Sequence, residues 1–251
     1  MAQSEPTFPI STPAAILIGA VLVSFAILIS NGVIKLGGAG LGAGTTGSAP
    51  TQQQAGATPA PSVYQNVTAG NLPTLGNNNA KVLVVEWADY QCPFCEQFFT
   101  QVEPQIKKDY IDTGKIKFAF RDFPFLGQPT SDPAGDESAN AANAARCANE
   151  QGKFWQYHDY LYSHQGQEDQ GAFSKDNLKK FASDLGFNTD QFNQCIDSNK
   201  YAKDATDDMN AGKAVGVSGT PTVYVNGTQI VGAEPYSAFK DAIDKALASA
   251  K

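Results

Sequence analysis

The chain has 251 residues, enough for one domain of ordinary size together with additional segments. Hydrophobic residues make up 42% of it, so a sizeable core can form, and a net charge of −7 without any basic cluster argues against nucleic-acid binding. The four cysteines, Cys92, Cys95, Cys147 and Cys195, are an even number that suits two disulfides but does not by itself establish them.

A membrane-spanning helix is predicted over residues 14–34, after a polar N-terminal tail of residues 1–13. The run contains no charged residue, and about 20 helical residues cross the roughly 30 Å hydrocarbon core of a bilayer. A cleaved signal peptide is the alternative, but the tail has no Lys or Arg and the run is longer than the apolar region of a signal peptide. We therefore expect a retained, single-pass anchor.

Two observations on the orientation of this anchor oppose each other. Lys35 follows the run while the preceding flank carries Glu5, which by the positive-inside rule favours a cytoplasmic C-terminus. The cysteine chemistry described below favours an extracytoplasmic one, and we expect the chemistry to decide.

Residues 35–74 are predicted to be a flexible linker. They are rich in Gly, Ala, Thr, Gln and Pro and have no hydrophobic periodicity. Such a tether would let a folded head, residues 75–251, reach partners above the membrane.

The head opens with a strand, a helix and a second strand. Residues 81–87 form a short apolar run with β-branched side chains, which is typical of a buried strand. After a loop that ends at Cys92, apolar side chains recur at helical spacing, namely Phe98, Phe99, Val102 and Ile106. Residues 115–120 indicate the second strand.

The pattern from about residue 130 to residue 212 is helical. Residues 139–150 are rich in Ala, the strongest helix former, and Gly152 ends this helix. Further helices are predicted around Phe154–Leu161, Leu178–Leu185, Phe192–Ile196 and Tyr201–Gly212.

The chain then returns to β structure. Residues 222–225 and 228–231 flank Asn226-Gly227, a strong signal for a two-residue hairpin. Residues 236–250 carry an apolar stripe and form a closing helix. The order of elements predicts an α/β head in which a helical block lies between the second and third strands.

The spacing of Cys92 and Cys95 at the start of a helix predicts a redox centre. Cysteines separated by two residues can form a reducible disulfide, and the helix N-terminus stabilises a thiolate on the first of them. Pro93 costs no hydrogen bond at an early helical position. We expect Cys92 to be the exposed nucleophile and Cys95, one turn further on, to be the buried resolving thiol.

Half of a structural zinc site is the main alternative for this motif. Such a site needs two more ligands, which are usually also closely spaced. Cys147 and Cys195 are far apart in the sequence and lie on separate predicted helices. The strand–CxxC–helix context therefore favours redox chemistry over a metal site.

The segment Val84–Cys95, with the sequence VVEWADYQCPFC, resembles the active-site region of the DsbA-like thiol–disulfide oxidoreductases, in their membrane-anchored bacterial and archaeal branch. The resemblance continues through Phe120–Pro124, Gly152–Trp155 and Gly219–Thr222 and covers the head. It implies a thioredoxin fold with an inserted α-helical domain, in agreement with the predicted order of elements.

The resemblance also implies roles for residues around the cysteine pair. Pro93-Phe94 stands where DsbA has Pro-His, and because phenylalanine cannot donate a hydrogen bond to a thiolate, the oxidising strength of DsbA is not transferred to this chain. We expect Phe94 in an apolar rim that contacts substrate. Thr220-Pro221 resembles the cis-proline loop of the family, which would offer backbone groups to a substrate strand. By themselves these two residues indicate only a turn or the start of an edge strand.

Glu86, Cys147 and Cys195 each have two interpretations. Glu86 is either an exposed residue of an edge strand or, as the resemblance implies, a buried acid near Cys95 that relays protons during exchange. Cys147 and Cys195 are either inert buried thiols or bonded to each other. An oxidising compartment favours the bond, and the resemblance implies a structural disulfide in the helical domain.

The chain is therefore predicted to be an enzyme, a thiol–disulfide oxidoreductase that faces outside the cytoplasm and needs neither cofactor nor metal. A thiolate of a cysteine-containing protein substrate would attack the Cys92–Cys95 disulfide and form a mixed disulfide with Cys92. The resemblance implies that a quinone-linked membrane partner of the DsbB or VKOR type reoxidises the enzyme.

Two other functions remain as alternatives. A disulfide reductase or isomerase would use the same cysteines but would need electrons delivered from the membrane. A copper metallochaperone of thioredoxin fold usually adds a histidine ligand, and we expect His158 and His164 to lie in the helical block, away from the cysteine loop.

Overall fold

The computed structural model describes residues 64–127 and 135–250. The predicted tail, the anchor at residues 14–34 and the linker up to residue 63 lie outside the described residues. Within the two described ranges, no helix combines the length and the apolar character that a membrane span requires.

A five-stranded mixed sheet forms the centre of the described domain, with the strands side by side in the order β1-β3-β2-β4-β5. The strands are β1 (Leu75–Gly76), β2 (Val82–Ala88), β3 (Ile116–Asp122), β4 (Thr222–Val225) and β5 (Thr228–Val231). Only β2 and β3 are parallel, and each other neighbouring pair is antiparallel. β2 is central and nearly all its side chains are buried, as its apolar sequence predicted.

The hairpin between β4 and β5 was predicted with its bounds. Asn226 and Gly227 both have positive φ angles, 45° and 85°, which is the backbone geometry that favours this dipeptide in two-residue turns. β1 was missed, because a strand of two residues leaves no periodic pattern to recognise.

Eight α-helices surround the sheet in the described residues. The helices are α1 (Pro93–Gln101), α2 (Glu103–Ile106), α3 (Glu137–Asn149), α4 (Phe154–Ser163), α5 (Lys175–Asp184), α6 (Thr189–Asp197), α7 (Ala202–Ala214) and α8 (Tyr236–Ser249). The sequence predicted one helix through Ile106, but the structure interrupts it at Val102. Pro104 is the physical reason, because its nitrogen carries no hydrogen and its ring clashes with the preceding turn.

The helical block α3 to α7 lies between β3 and β4 in the chain, as predicted. Its core is continuous with the cysteine pair: one buried cluster contains Cys92, Cys95 and Phe120 together with Phe154 of α4 and Phe192 of α6. A second cluster packs β2 and β3 against α1, α2 and α8. The redox helix is thus packed on both sides, which fixes its N-terminus relative to the sheet.

The packed part of the chain begins earlier than Leu75, where the sequence placed the end of the linker. The Tyr64 ring packs edge-on against Tyr224, with 5.5 Å between the centroids, and the Tyr64 N–H donates to the carbonyl oxygen of Gly227 at 2.8 Å. Leu72 is buried in the core of the insertion. Isolated apolar residues anchor this segment, and they are too few to produce a periodic pattern.

A buried ion-pair network joins the sheet to the insertion. Asp208 on α7 accepts hydrogen bonds from the guanidinium groups of Arg121 on β3 and Arg146 on α3. Arg146 also donates through Nε to Asp122 at 2.6 Å. All four side chains are buried. The network leaves no local sequence pattern, because its members are 24 to 87 residues apart in the chain.

The structure also joins Cys147 on α3 to Cys195 on α6 in a disulfide, with 5.8 Å between the Cα atoms. Both residues lie inside the insertion, where the family resemblance placed such a bond. The bond ties the Ala-rich helix α3 to a helix 48 residues further along the chain.

Candidate active site

The end of β2 leads through a three-residue loop to Cys92, the N-cap residue of α1. The backbone N–H groups of Cys95 and Glu96 donate to the carbonyl oxygen of Cys92 at 3.0 and 3.1 Å, which starts the helix. Pro93 occupies the first helical position, where a missing N–H breaks no hydrogen bond. The Cys92 sulfur therefore lies at the positive end of the helix dipole.

Asp89 holds the loop before the cysteines. One carboxylate oxygen accepts from the Gln91 N–H at 2.9 Å and the Ser138 hydroxyl at 2.8 Å. The other accepts from the N–H groups of Phe125 and Leu126 at 2.9 and 3.0 Å. Burial raises the pKa of Asp89, although these four hydrogen bonds oppose the rise. Asp89 immediately follows the run that ends β2, and sequence analysis assigned it no role.

Both cysteines are free thiols and both are covered. The exposed fraction is 4% for Cys92 and 0% for Cys95, so the expectation of an exposed Cys92 sulfur was wrong. The reason is tertiary: the carbonyl oxygen of Thr220, 128 residues further on, lies 3.4 Å from the Cys92 sulfur and accepts a hydrogen bond from its protonated form. The predicted order of exposure is retained, since a small part of Cys92 is accessible to solvent and none of Cys95 is.

The two thiols have opposite acidities. The pKa of Cys92 is lowered to about 6, chiefly by a hydrogen bond from the Cys95 thiol and also by the backbone N–H groups of Phe94 and Cys95 at the start of the helix. Burial raises the pKa of Cys95 well above its ordinary value, and the charges of Cys92 and Glu86 add to the rise. At neutral pH the dithiol form therefore carries a thiolate on Cys92 and a proton on Cys95.

The Thr220–Pro221 peptide bond is cis, and the loop lies against the cysteines, as the resemblance implied. Phe94 is 58% exposed beside them, and Val231 at the end of β5 is also exposed. Val231 pairs with Thr222, the residue directly after the cis-proline loop.

Glu86 is buried in the middle of β2, with 1% of its surface exposed. The interpretation as an exposed residue of an edge strand was wrong, because β2 is paired on both sides, with Phe120 and Val223 as the neighbours of Glu86. Burial, followed by the charges of Glu103 and Cys92, raises the pKa of Glu86 well above its ordinary value.

His158 was expected away from the cysteine loop, and the structure corrects this. The ring is fully buried, 5.7 Å from the ring of Tyr90 in that loop. Burial lowers the pKa of His158, which favours the neutral imidazole. Among the described residues no three His, Cys, Asp or Glu side chains are placed to hold a metal ion.

The comparisons agree with this geometry. A family model described as thioredoxin matches residues 68–245. Disulfide bond formation protein D of Bacillus subtilis is 30% identical over 176 residues, which cover 70% of this chain and 77% of that protein.

Solved structures of such proteins are similar too. The oxidised BdbD crystal structure from Bacillus subtilis has a TM-score of 0.63 and 29% identity, covering 70% of this chain and 93% of that one. Alpha-DsbA1 of Wolbachia pipientis has a TM-score of 0.60 and 25% identity, covering 71% and 94%. This chain belongs to the DsbA-like thiol–disulfide oxidoreductases of the thioredoxin family.

Proposed function

We propose that this protein is a disulfide-forming oxidase for extracytoplasmic proteins and that Cys92 is its nucleophile. One observation carries the proposal: the site lowers the pKa of Cys92 to about 6 while Cys95 beside it is protonated and buried. Stabilising a thiolate stabilises the reduced enzyme and therefore makes its disulfide a stronger oxidant. The name of the Bacillus subtilis relative, disulfide bond formation protein D, supports this direction.

The reaction has two exchange steps. A substrate thiolate attacks the Cys92 sulfur of the enzyme disulfide, Cys95 leaves as a thiolate and takes up a proton, and a mixed disulfide remains on Cys92. A second substrate thiolate then attacks the substrate sulfur of that bond and releases the Cys92 thiolate. The substrate loses two electrons and the enzyme gains two. A quinone-linked membrane protein of the DsbB or VKOR type would remove them.

The surface around Cys92 suits an extended substrate segment. Exposed apolar side chains at Phe94 and Val231 can contact substrate side chains. Thr220 and Pro221 belong to the loop that lies on the sulfur, where backbone groups can pair with a substrate strand. Specificity would thus come mainly from backbone and apolar contacts, which suits an enzyme that acts on many unfolded chains.

We also propose that the apolar run at residues 14–34 anchors the domain to the cell membrane, with the catalytic head extracytoplasmic. The length of the run and its lack of charged residues support the anchor. The expected result is that the full chain stays in the membrane fraction after high-salt and carbonate washes. A mature N-terminus beyond Ile34 would show that the segment is removed instead.

A redox titration tests the direction and the residue roles together. After equilibration in glutathione buffers and an acid quench, mass spectrometry gives the oxidised fraction of the wild type. We expect a potential well above the roughly −270 mV of thioredoxin. In the same buffers the Cys95→Ala variant should carry a glutathione adduct on Cys92, whereas Cys92→Ala should carry none on Cys95, which is buried.

Two outcomes would contradict the proposal. A potential at or below that of thioredoxin would favour the alternative, a reductase or isomerase that receives electrons through the membrane. Equal adduct formation by both variants would contradict the assignment of Cys92 as nucleophile.

A further inference from the structure

Six buried polar atoms without a hydrogen-bond partner among the described residues form a group beneath Cys95, called here the polar cluster. The atoms are Glu86 Oε2, Tyr90 Oη, Glu103 Oε2, Trp155 Nε1, His158 Nε2 and Tyr162 Oη. Buried polar atoms in proteins nearly always pair with protein groups or ordered water. Their concentration at one place therefore indicates a site for bound water or mobile protons.

Ring contacts show that the members of the polar cluster are neighbours. The Tyr162 ring lies 5.1 Å from those of both Tyr90 and His158, and the Trp155 ring lies 5.0 Å from His158. Phe120, which pairs with Glu86 across the sheet, lies 4.8 Å from His158. The polar cluster thus extends from the sheet at Glu86 to helix α4.

Glu103 connects the polar cluster with the surface. It opens α2 next to the redox helix and is only 6% exposed. It interacts electrostatically with Glu86, which is buried, and also with Asp159 and Lys107. Asp159 is exposed and hydrogen-bonded to Nδ1 of His158 at 2.9 Å. Exposure thus increases from Cys95 and Glu86 through Glu103 to Asp159, and each of these groups interacts electrostatically with the next.

We propose that Glu103 is a second proton-holding carboxyl of the exchange reaction, which acts through Glu86 to connect Cys95 with solvent at Asp159. The proposal rests on the oxidoreductase function and adds a residue that the CxxC motif does not indicate. No sequence pattern marks Glu103, because a glutamate before a proline at a helix start is usually an exposed residue.

The proton transfers balance as follows. When Cys95 resolves a mixed disulfide, Glu103 first releases a proton toward Asp159 and takes one from Glu86. The Glu86 carboxylate so formed accepts the S–H proton of Cys95, and the resulting thiolate attacks the Cys92 sulfur and expels the substrate thiolate. When Cys95 is the leaving group, the same protons move in the opposite direction. No electrons move along this path.

The carboxyl pair, Glu86 and Glu103, has titratable neighbours on several of the elements packed around it. Glu86 interacts with Cys92 and Cys95 of the redox motif, Tyr90 of the loop and Tyr162 of α4. Glu103 interacts with Asp159 of α4, to which His158 is bonded, and with Lys107, the first residue of the π-helix that follows α2.

The charges around the pair are mostly negative or neutral, so they favour protonated carboxyls. Burial and the Asp159 charge raise the pKa of Glu103 to about 8, against the opposing effect of Lys107. A carboxyl that titrates near neutral pH can both accept and release protons.

The test follows the resolving step alone. Reduced protein is mixed with excess oxidised glutathione across pH 5 to 9, and the second, concentration-independent phase reports attack by Cys95. We expect Glu103→Gln to slow this phase about tenfold at pH 7 and Glu86→Gln about 100-fold, toward the lower end of general acid–base effects. The first phase, attack by Cys92, should change less than about twofold.

The pH profile separates proton transfer from a merely structural effect. The negative charge of Glu103 raises the pKa of Glu86, so Glu103→Gln should lower that pKa. The midpoint of the plot of second-phase rate against pH should therefore move to lower pH. Glu103→Asp, which keeps a carboxyl, should restore most of the rate. Asp241→Asn, which removes an exposed carboxylate from α8, is the matched control and should match the wild type.

The outcomes are distinguishable. If Glu103→Gln behaves as Asp241→Asn does in rate and midpoint, the proposal is overturned. Difference infrared spectra of the wild type provide a readout without a variant: the band of a protonated carboxyl should change on disulfide reduction, and no change would also overturn it. A wild type that forms no mixed disulfide with glutathione would contradict the oxidoreductase function instead.

Discussion

Replacing Asp208 by asparagine should destabilise the domain by about 3–5 kcal/mol, the usual effect of removing one partner from a buried ion pair. Asp208 is shared by Arg121 and Arg146, so its loss leaves two buried guanidinium groups without their common counter-charge. For a domain of this size the melting temperature should fall by roughly 10 °C. Urea unfolding followed by tryptophan fluorescence measures the change.

Asp207 provides a matched control one residue away. It is exposed and forms a surface pair with Lys203 four residues earlier on α7. Asp207→Asn should change the free energy of unfolding by less than about 0.5 kcal/mol, because surface pairs contribute little. Equal effects of the two variants would mean that the buried network does not stabilise the domain.

The consequence of losing Asp208 should extend beyond stability. Trp87 at the end of β2 donates through Nε1 to the carbonyl oxygen of Asp208 at 3.2 Å, and the Arg121 guanidinium lies 5.2 Å from the Trp87 ring centroid. Trp87 lies five residues before Cys92 on the strand that positions the redox loop. We therefore expect the ion-pair network to hold the insertion in place. Ser138 on α3 would then stay in position to donate to Asp89, which holds the loop before Cys92.

Removing the Cys147–Cys195 disulfide should cost about 4 kcal/mol, since it closes a loop of 48 residues and chain entropy in the unfolded state scales with loop length. Both cysteines lie in the core of the insertion, which the double variant Cys147→Ala/Cys195→Ala also loosens by removing packed sulfur atoms. Urea unfolding of this variant against the wild type measures the loss.

The disulfide should be inert during exchange. Mild reduction that opens Cys92–Cys95 should leave Cys147–Cys195 intact, because the lowered pKa of Cys92 stabilises the reduced form of the first pair and makes its disulfide the easier one to reduce. Peptide mass mapping identifies which bonds open. Detection of free thiols at Cys147 and Cys195 in the unreduced protein would contradict the predicted bond. In the urea unfolding experiment, the variant Cys92→Ala/Cys95→Ala is the control that loses two cysteines but keeps the Cys147–Cys195 bond.

Local patterns in the sequence were sufficient for the order of elements and for the reactive pair. The apolar run of β2, the helical spacing after Cys92 and the Asn226-Gly227 turn each depend on neighbours within a few residues. The placing of Cys92 at the N-terminus of a helix follows from the same local signals and already predicts the thiolate chemistry.

Tertiary structure alone decided the surroundings of that pair. Thr220 contacts Cys92 although the two residues are 128 positions apart in the chain. The Cys92 sulfur, which was expected to be exposed, is therefore almost fully buried. His158, expected elsewhere in the helical block, lies beside Tyr90 because the insertion folds back over the redox helix. Of these two contacts, only the one between Thr220 and Cys92 was anticipated, and it was implied by the family resemblance and not by the local sequence.

The burial of charged residues is where local sequence patterns and the tertiary structure differ most clearly. A charged residue in a helix is normally exposed, so no local pattern indicates that Glu103, Arg146 and Asp208 are buried. In the folded chain they are buried, and what decides this is whether distant elements bring an opposite charge or another proton-holding group to the same place. The sequence by itself therefore determined the order of elements and the position of the redox pair, whereas long-range packing decided which polar and charged groups surround that pair, because those groups come from elements far apart in the chain.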